Sequence, residues 1–529
     1  MNTLYFDFKS IGKFSDNDIA YSSGNKKLEP FYSFFPSQEN LLNAAEKRKN
    51  FTVDREVLVA EITRQYKGFT DHEEIFTYIS KLKDPNVFTI TTAHQPNLLT
   101  GPLYFIYKCL SAIKASGEFN KRNSQYETIP ILVLGGEDHD FEELNHLRIF
   151  GKPIVWEDEQ GGAIGRYKTA SLQPIIDEIY QILGDSENAQ LLKGKIEKAF
   201  NGKENYGQSM QHFVHELLGH LGILVVSMDN KAFKKRMIPY FKDDLLNKSS
   251  HRIVNEVQES FSEAGFDKQA FVRPINFFYL TKNSRDRIEE NNGTYSLVNS
   301  DNNWSQDELL HEIETNPENF SPNVILRPIY QEVILPNLAY VGGGGEISYW
   351  LERLSQFEEL KVFFPMLIRR DSIQLISNKD LEILQEYHFS IEDLFLPDHK
   401  LTEKYLSEFG RDEIDISKEL QAIDELEKKV QEKAEVIDQS LVARIGAQFA
   451  KFKNDLQGVE KRLKKTEKQS HDRNIKKINR IKSKLFPNNG LQERSDNFMS
   501  WYILHGEGFF QLLLEAANPF DTRMKTIEV

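Results

Sequence analysis

Residues 87–108 read VFTITTAHQPNLLTGPLYFIYK. The first seven are rich in β-branched side chains and predict a strand. The polar HQPN and the Thr-Gly-Pro that follows predict a turn, and LYFIYKCLSAIKAS, 103–116, has helical apolar spacing. Pro102 suits the first helical position, because it has no N–H to leave unsatisfied. Gly101 lets the backbone come close to a ligand. A helix starting there points its free N–H groups at the turn, which favours an anion. Lys108 lies six residues beyond Pro102 and either reaches back to the turn or faces solvent. The competing reading is a plain strand–turn–helix corner with a stray histidine, His94.

Moving outward, TIPILVLGG (128–136) and LGILVVSMD (221–229) are short continuous apolar runs. Such runs suit strands buried on both faces of a parallel sheet. VILRPIYQEVILP (324–336) and VFFPMLIRRDSIQLIS (362–377) add strand candidates, and helical patterns lie between the runs. The alternation predicts an α/β fold with a Rossmann-like, doubly wound core. The expected organisation is a mainly helical segment at 1–85, a first core part at 86–254, a connecting insertion at 255–320 and a second core part at 321–395. A coiled-coil arm follows at 396–490, and 491–529 returns to the core. In the arm, Leu420, Ile423, Leu426 and Val430 recur at three and four, as do Ile475, Ile478, Ile481 and Leu485, with no proline from Ile416 to Leu485. The spacing slips, so a folded-back arm of two or three helices is expected, paired with a second copy as a homodimer.

The 529 residues carry 66 Lys and Arg against 80 Asp and Glu, a net charge of −14. That balance repels nucleic acid. The stretch 461–484 is a local exception with a basic face, read first as a solvated coiled-coil surface. No apolar run is long enough to span a bilayer, and the start of the chain lacks a signal-peptide pattern. With one cysteine, Cys109, no intramolecular disulfide forms, and a cytoplasmic location is expected.

Three further stretches carry candidate chemistry. GGEDHDFEELNHL (135–147) follows a buried strand, so Glu137, Asp138, His139 and Asp140 reach the same sheet edge as His94. The cluster suits acid–base work, an amine or a metal; alternatively Asp140 caps the next helix, and no metal is assigned. NLAYVGGGGEISYWLERL (337–354) sets a glycine run between a strand and a helix opening with Glu346. Gly343 and Gly344 are nucleotide-phosphate candidates, whereas the Glu346 carboxylate opposes a phosphate and welcomes an amine or hydroxyl. Arg273 and Arg327 each precede a proline and suit a carboxylate or a structural salt bridge. The basic turn RRDS, 369–372, has the same two readings.

Together, HQPNLLTGPLYFIYK, GGEDHDFEELN, VRPINFFYL, VILRPIYQEVILPN, GGGGEISYW and LFPNNGLQER resemble the bacillithiol biosynthesis cysteine-adding enzymes, a family of cysteine ligases. The six stretches occur in the family's order over most of the chain. The resemblance implies a nucleotidyltransferase-like Rossmann core with connecting-peptide insertions and a dimerising coiled coil. It implies addition of cysteine to the glucosamine amine of glucosaminyl-malate, with ATP activating the carboxylate and Mg²⁺ as its companion. The core is also distantly similar to aminoacyl-tRNA synthetases and pantothenate synthetase, whose turn histidines hold ATP phosphates. Tyr104 and Tyr107 stand at those positions here, which directs the stretch toward the sugar or malate of the acceptor. On this reading Glu137, Asp138, His139 or Asp140 orients or deprotonates the amine. His94, Gln95, Tyr104, Tyr107, Lys108, Arg327 and Glu346 bind substrate, and Gly343, Gly344, Gln492, Glu493 and Arg494 bind the nucleotide. The rivals are a synthetase-like nucleotidyltransferase with another small-molecule substrate, a metabolite-sensing coiled-coil scaffold, and a nucleic-acid binder.

Overall fold

A computed structural model describes residues 3–68, 73–300, 302–410 and 415–529. Its strands, in chain order, begin with β1 (Thr3–Phe6), β2 (Val87–His94), β3 (Glu127–Leu134), β4 (His146–Ile149), β5 (Lys152–Val155) and β6 (Leu224–Ser227). They continue with β7 (Phe277–Leu280), β8 (Arg285–Asn291), β9 (Thr294–Leu297), β10 (Asn303–Ser305) and β11 (Phe320–Pro322). The last are β12 (Asn337–Gly342), β13 (Met366–Arg369), β14 (Ile373–Ile376) and β15 (Met524–Glu528).

The chain divides into two units. The first comprises 1–375 and 490–527. Its centre is a parallel sheet in the order β13-β12-β2-β3-β6. β2 and β3 read as apolar and threonine runs because both faces are covered; seven of the eight residues in each are buried. From β2 the chain builds outward through β3 to β6, then returns to the other side of β2 to lay down β12 and β13. The direction reverses between β2 and β12. In such sheets that is the topological switch point, where the two loops leaving the strand ends diverge and open a crevice.

The segment 277–322 forms its own antiparallel sheet, β10-β9-β8-β7-β11. β1 pairs with β15 from the far end of the chain. The C-terminal segment is pinned to the core by charge: Lys525 pairs with the buried Asp371, which also accepts hydrogen bonds from Ser111 Oγ at 2.7 Å and the Asn518 N–H at 2.9 Å.

Two local expectations change. VILRPIYQEVILP is not a strand. Residues Arg327–Ile334 form a helix with Pro328 in its first turn, and β12 follows it. Ile329, Tyr330 and Ile334 are buried there, a helical spacing hidden inside an apolar run. The helix after β2 runs Tyr104–Arg122, so Pro102 sits ahead of it rather than at its first position.

The second unit holds 376–489 with 528–529. Residues 376–395, expected within the core, group here. The helices Asn378–Glu386 and Asp398–Phe409 pack on Asp472–Leu485, whose Ile475, Ile478, Ile481 and Leu485 are buried. The arm itself is Ser417–Ile437 turning back into Ser440–Ser470, tied by Lys453 to Asp424 and Glu427 at 2.9 and 2.7 Å. No described helix is long and apolar enough to cross a membrane.

Candidate active site at the topological switch point

Two loops build the crevice. After β2 the backbone turns through Leu99, Thr100 and Gly101, all at positive φ (41°, 75° and 58°). For Leu and Thr that conformation is costly, and it persists only where neighbours enforce it. Here Asn497, buried, donates its Nδ2 hydrogens to Leu99 O at 3.1 Å and Gly101 O at 2.6 Å. The second loop, after β12, starts the helix Gly344–Leu351.

The loops meet in an ion pair. Lys108, 3% exposed, points back at the end of β2 and donates to Ala93 O at 2.9 Å. Its Nζ lies 2.5 Å from Glu346 Oε2. Glu346 also accepts from the Gly343 N–H at 2.9 Å and from Tyr340 Oη at 2.8 Å. Burial works to raise this carboxyl, but Lys108 and the Gly343 N–H outweigh it and hold it at about 2.

His94 caps β2 beside this pair. Burial first, then the Lys108 ammonium, pushes its imidazole down to about 3, so the ring is neutral at physiological pH. Nδ1 lies 3.2 Å from Gln95 O. A carbonyl only accepts, so this contact puts the proton on Nδ1 and leaves Nε2 as an acceptor. Tyr104 stacks on the ring, centroids 5.3 Å apart. Arg327 closes the far side. It donates to Tyr349 Oη at 2.8 Å and lies 5.8 Å from the Tyr340 ring centroid. It also donates to Gln331 Oε1 at 3.4 Å and, among the described residues, forms no salt bridge.

The acid stretch divides. Gln95 Nε2 donates to Asp138 Oδ2 at 3.1 Å, linking the cluster to the β2 loop. Asp138 also accepts its neighbour's N–H, from His139, at 2.8 Å. Arg285 Nη1 stands 3.5 Å from Asp138 Oδ1 and 3.3 Å from His139 Nδ1. Burial works to raise Asp138, but His139, Arg285 and Gln95 outweigh it and keep it ionised. Asp140 is exposed and makes no side-chain cap to the helix after it. Glu137 does not join the cluster. It pairs with the fully buried Lys234, which also donates to Phe320 O, and so ties the core to β11. Ligand atoms of Asp138, His139 and Asp140 lie within 4.8 Å of one another. With a guanidinium already against Asp138 and His139, this set does not fit Mg²⁺, a hard cation that demands oxygen ligands.

The residues expected at a nucleotide have protein partners in the structure. Glu493 is buried and paired bidentately with Arg370 at 3.0 and 2.7 Å, and it accepts from Ser372 Oγ at 2.9 Å. Gln492 exchanges hydrogen bonds with the backbone of Leu375 at 2.8 and 3.1 Å. Both side chains are committed to holding the C-terminal segment on the core. Gly343 and Gly344 face carboxylates: Gly343 serves Glu346, and a Cβ on Gly344 would sit 2.0 Å from Asp18 Oδ2. Asp18 is itself held bidentately by Arg369 at 3.0 Å. A phosphate there would meet two negative groups. Arg494 is exposed, with its charge near Tyr104. Tyr107, 1% exposed, lies inside beside Glu493 and Arg370 and does not reach the crevice.

The sequence did not point to Arg285, Tyr340, Tyr349 or Lys234. Arg285 arrives from the antiparallel sheet, and no spacing in the chain pairs it with Asp138.

A parallel, doubly wound core with neutral imidazole, ion pair and guanidinium gathered at its switch point defines a Rossmann-type α/β protein. The comparisons with known proteins narrow this. The family description "Bacillithiol biosynthesis BshC, N-terminal Rossmann-like domain" matches residues 1–371, and "Bacillithiol biosynthesis BshC, C-terminal coiled-coil domain" matches 373–529. The chain therefore belongs to the bacillithiol biosynthesis BshC family. It is similar to "Putative cysteine ligase BshC" of Flavobacterium psychrophilum, 36% identical over all of both chains. The protein of the same name from Christiangramia forsetii is 35% identical over all of this chain and 99% of that one. The Bacillus cereus protein of that name is 25% identical over 95% of each.

Proposed function

We propose that this chain is a carbon–nitrogen ligase that joins the carboxyl group of L-cysteine to the glucosamine amine of glucosaminyl-malate, forming bacillithiol, with ATP supplying the activation. Family membership over the whole chain supports the reaction class. The observation that carries the site is Arg327: a guanidinium with no salt bridge among the described residues, set at the switch point with Glu346 and His94. In this reading Arg327 holds a malate carboxylate. The acceptor Nε2 of His94 and the carboxylate of Asp138, joined through Gln95, orient the amine and accept hydrogen bonds from it. Lys108 and Glu346 fix the two loops around it.

The energetic need for ATP is general: a free carboxylate does not condense with an amine in water without activation. The reading places the enzyme in the cytoplasm. It also pairs two copies through the arm, where Leu426, Phe452 and Val459 are about half exposed at 53%, 52% and 47%. Light scattering on the purified protein reads the pairing directly.

The reaction is tested by incubating the protein with cysteine, glucosaminyl-malate and ATP and following product by mass spectrometry. Formation of bacillithiol that stops when ATP is omitted is expected. Bacillithiol formed at the same rate without ATP removes the nucleotide from the account, and no product under any condition removes the ligase.

A further inference from the structure

One buried donor at the crevice is left over. Arg370 follows β13, and its N–H bonds Gly342 O at 2.8 Å, which sets it beside the loop after β12. Its guanidinium is buried. Nη2 and Nη1 donate to Glu493 at 2.7 and 3.0 Å, and Nη1 donates also to Asp371 O at 2.7 Å. Nε has no hydrogen-bond partner among the described residues. A buried N–H of a charged group without an acceptor is costly, so the position calls for one.

Nε borders the space in front of Gly343. A Cβ built on Gly343 would have two atoms within 4 Å beyond its chain neighbours, Glu346 Oε2 at 3.5 Å and Arg370 Nε at 3.7 Å. Gly343 is partly exposed, so this space opens outward. The backbone does not require glycine there, because a φ of −74° and a ψ of 168° suit any L-residue. What the glycine supplies is room between a cationic N–H and a carboxylate oxygen. The Arg370 guanidinium carbon also lies 5.5 Å from the ring centroid of Tyr104, which stacks on His94. The space therefore belongs to the crevice, beside His94 and the Lys108–Glu346 pair.

The two walls select the occupant. Arg370 Nε only donates, and the ionised Glu346 only accepts. A carboxylate or phosphoryl oxygen would bring like charge against Glu346. An ammonium would turn hydrogens toward the Nε–H. A hydroxyl satisfies both walls at once, because its oxygen accepts while its hydrogen is donated.

We propose that the space in front of Gly343 is a hydroxyl subsite, in which a hydroxyl of a sugar ligand accepts from Arg370 Nε–H and donates to Glu346 Oε2. This assignment rests on the reading of the crevice as the place of glucosaminyl-malate, and adds that the crevice holds the sugar ring as well as the malate.

Calorimetric titration of the full-length protein tests it, with glucosaminyl-malate and its singly deoxygenated sugar analogues as probes. The variants are Gly343→Ala, which fills the space, and Gly345→Ala, whose Cβ meets nothing within 4 Å. Both added methyls make no contact closer than ordinary van der Waals distance, and matched circular dichroism confirms that both variants are folded. Gly343→Ala is expected to weaken glucosaminyl-malate about tenfold or more, and Gly345→Ala to leave it unchanged. One deoxy analogue is expected to bind the unaltered protein more weakly than its parent by a similar factor, yet to bind Gly343→Ala as well as the parent does. Parent binding unchanged by Gly343→Ala overturns the proposal. So does an equal loss for every analogue in that variant, which marks a distorted loop. Failure of glucosaminyl-malate to bind the unaltered protein overturns the crevice reading and the subsite together. Binding in the expected pattern with no bacillithiol formed removes the ligase reading and leaves the subsite standing.

Discussion

Lys108 Nζ and Glu346 Oε2 lie 2.5 Å apart, one carried by the helix after β2 and the other by the helix after β12. They clamp together the two loops that diverge at the switch point. Glu346→Gln leaves a buried ammonium without its counter-charge, which costs about 3 kcal/mol. Urea denaturation should show that loss. The pair also has a pH signature. Glu346 is held at about 2 against an ordinary 4.5, so its contribution is full above pH 4.5 and is lost as pH falls toward 2. Glu346→Gln should flatten the stability profile over that interval.

His94 gives a second test of the same sign, in a higher pH window. Its folded form stays neutral down to about 3, while the unfolded chain takes up the proton near 6.5. The unfolded state then binds more protons between those values, so stability falls as pH drops from 6.5 toward 3. His94→Gln should remove that slope. A pH–rate profile should likewise show no acid limb near 6.5 from this imidazole; a limb there that vanishes in His94→Gln counts against a neutral His94.

Adjacent glycines should part company. Gly344→Ala drives a methyl into the Asp18 carboxylate and disturbs its bidentate pair with Arg369, both buried, at a cost of about 3 kcal/mol. At Gly345 a Cβ meets nothing within 4 Å, and alanine in a helix is favoured over glycine by about 0.5–1 kcal/mol. Thermal melting of the two variants should move in opposite directions.

Arg327→Gln keeps a hydrogen bond to Tyr349 within reach but removes the charge. Loss of a charge-assisted contact of about 1.5–3 kcal/mol predicts a KM for glucosaminyl-malate raised roughly 10- to 100-fold. The KM for cysteine should move little. An effect confined to cysteine would transfer Arg327 to the other substrate.

The strand runs and the glycine-ended turns were readable because burial on both faces leaves an unbroken apolar run, and chain order then fixes which edge each loop reaches. That sufficed to bring His94, Glu346 and the Asp138 stretch to one edge. It did not reveal partners. Glu137 and Asp138 are neighbours in sequence, yet one is drawn to Lys234 and the other to Arg285, each delivered by a distant segment. Gln492 and Glu493 are expected at the nucleotide from the resemblance, but in the structure Leu375 and Arg370 hold them. Arg327 was legible as a residue beside a proline, whereas the helix it starts was masked by the apolar run around it.

The central claim is that the switch-point crevice holds the acceptor of an amide-forming reaction. A crystal structure with glucosaminyl-malate bound tests it most directly. The account predicts a malate carboxylate on the Arg327 guanidinium and the sugar amine within hydrogen-bonding distance of His94 Nε2 or Asp138. Glucosaminyl-malate bound elsewhere, with Arg327 untouched, would contradict it.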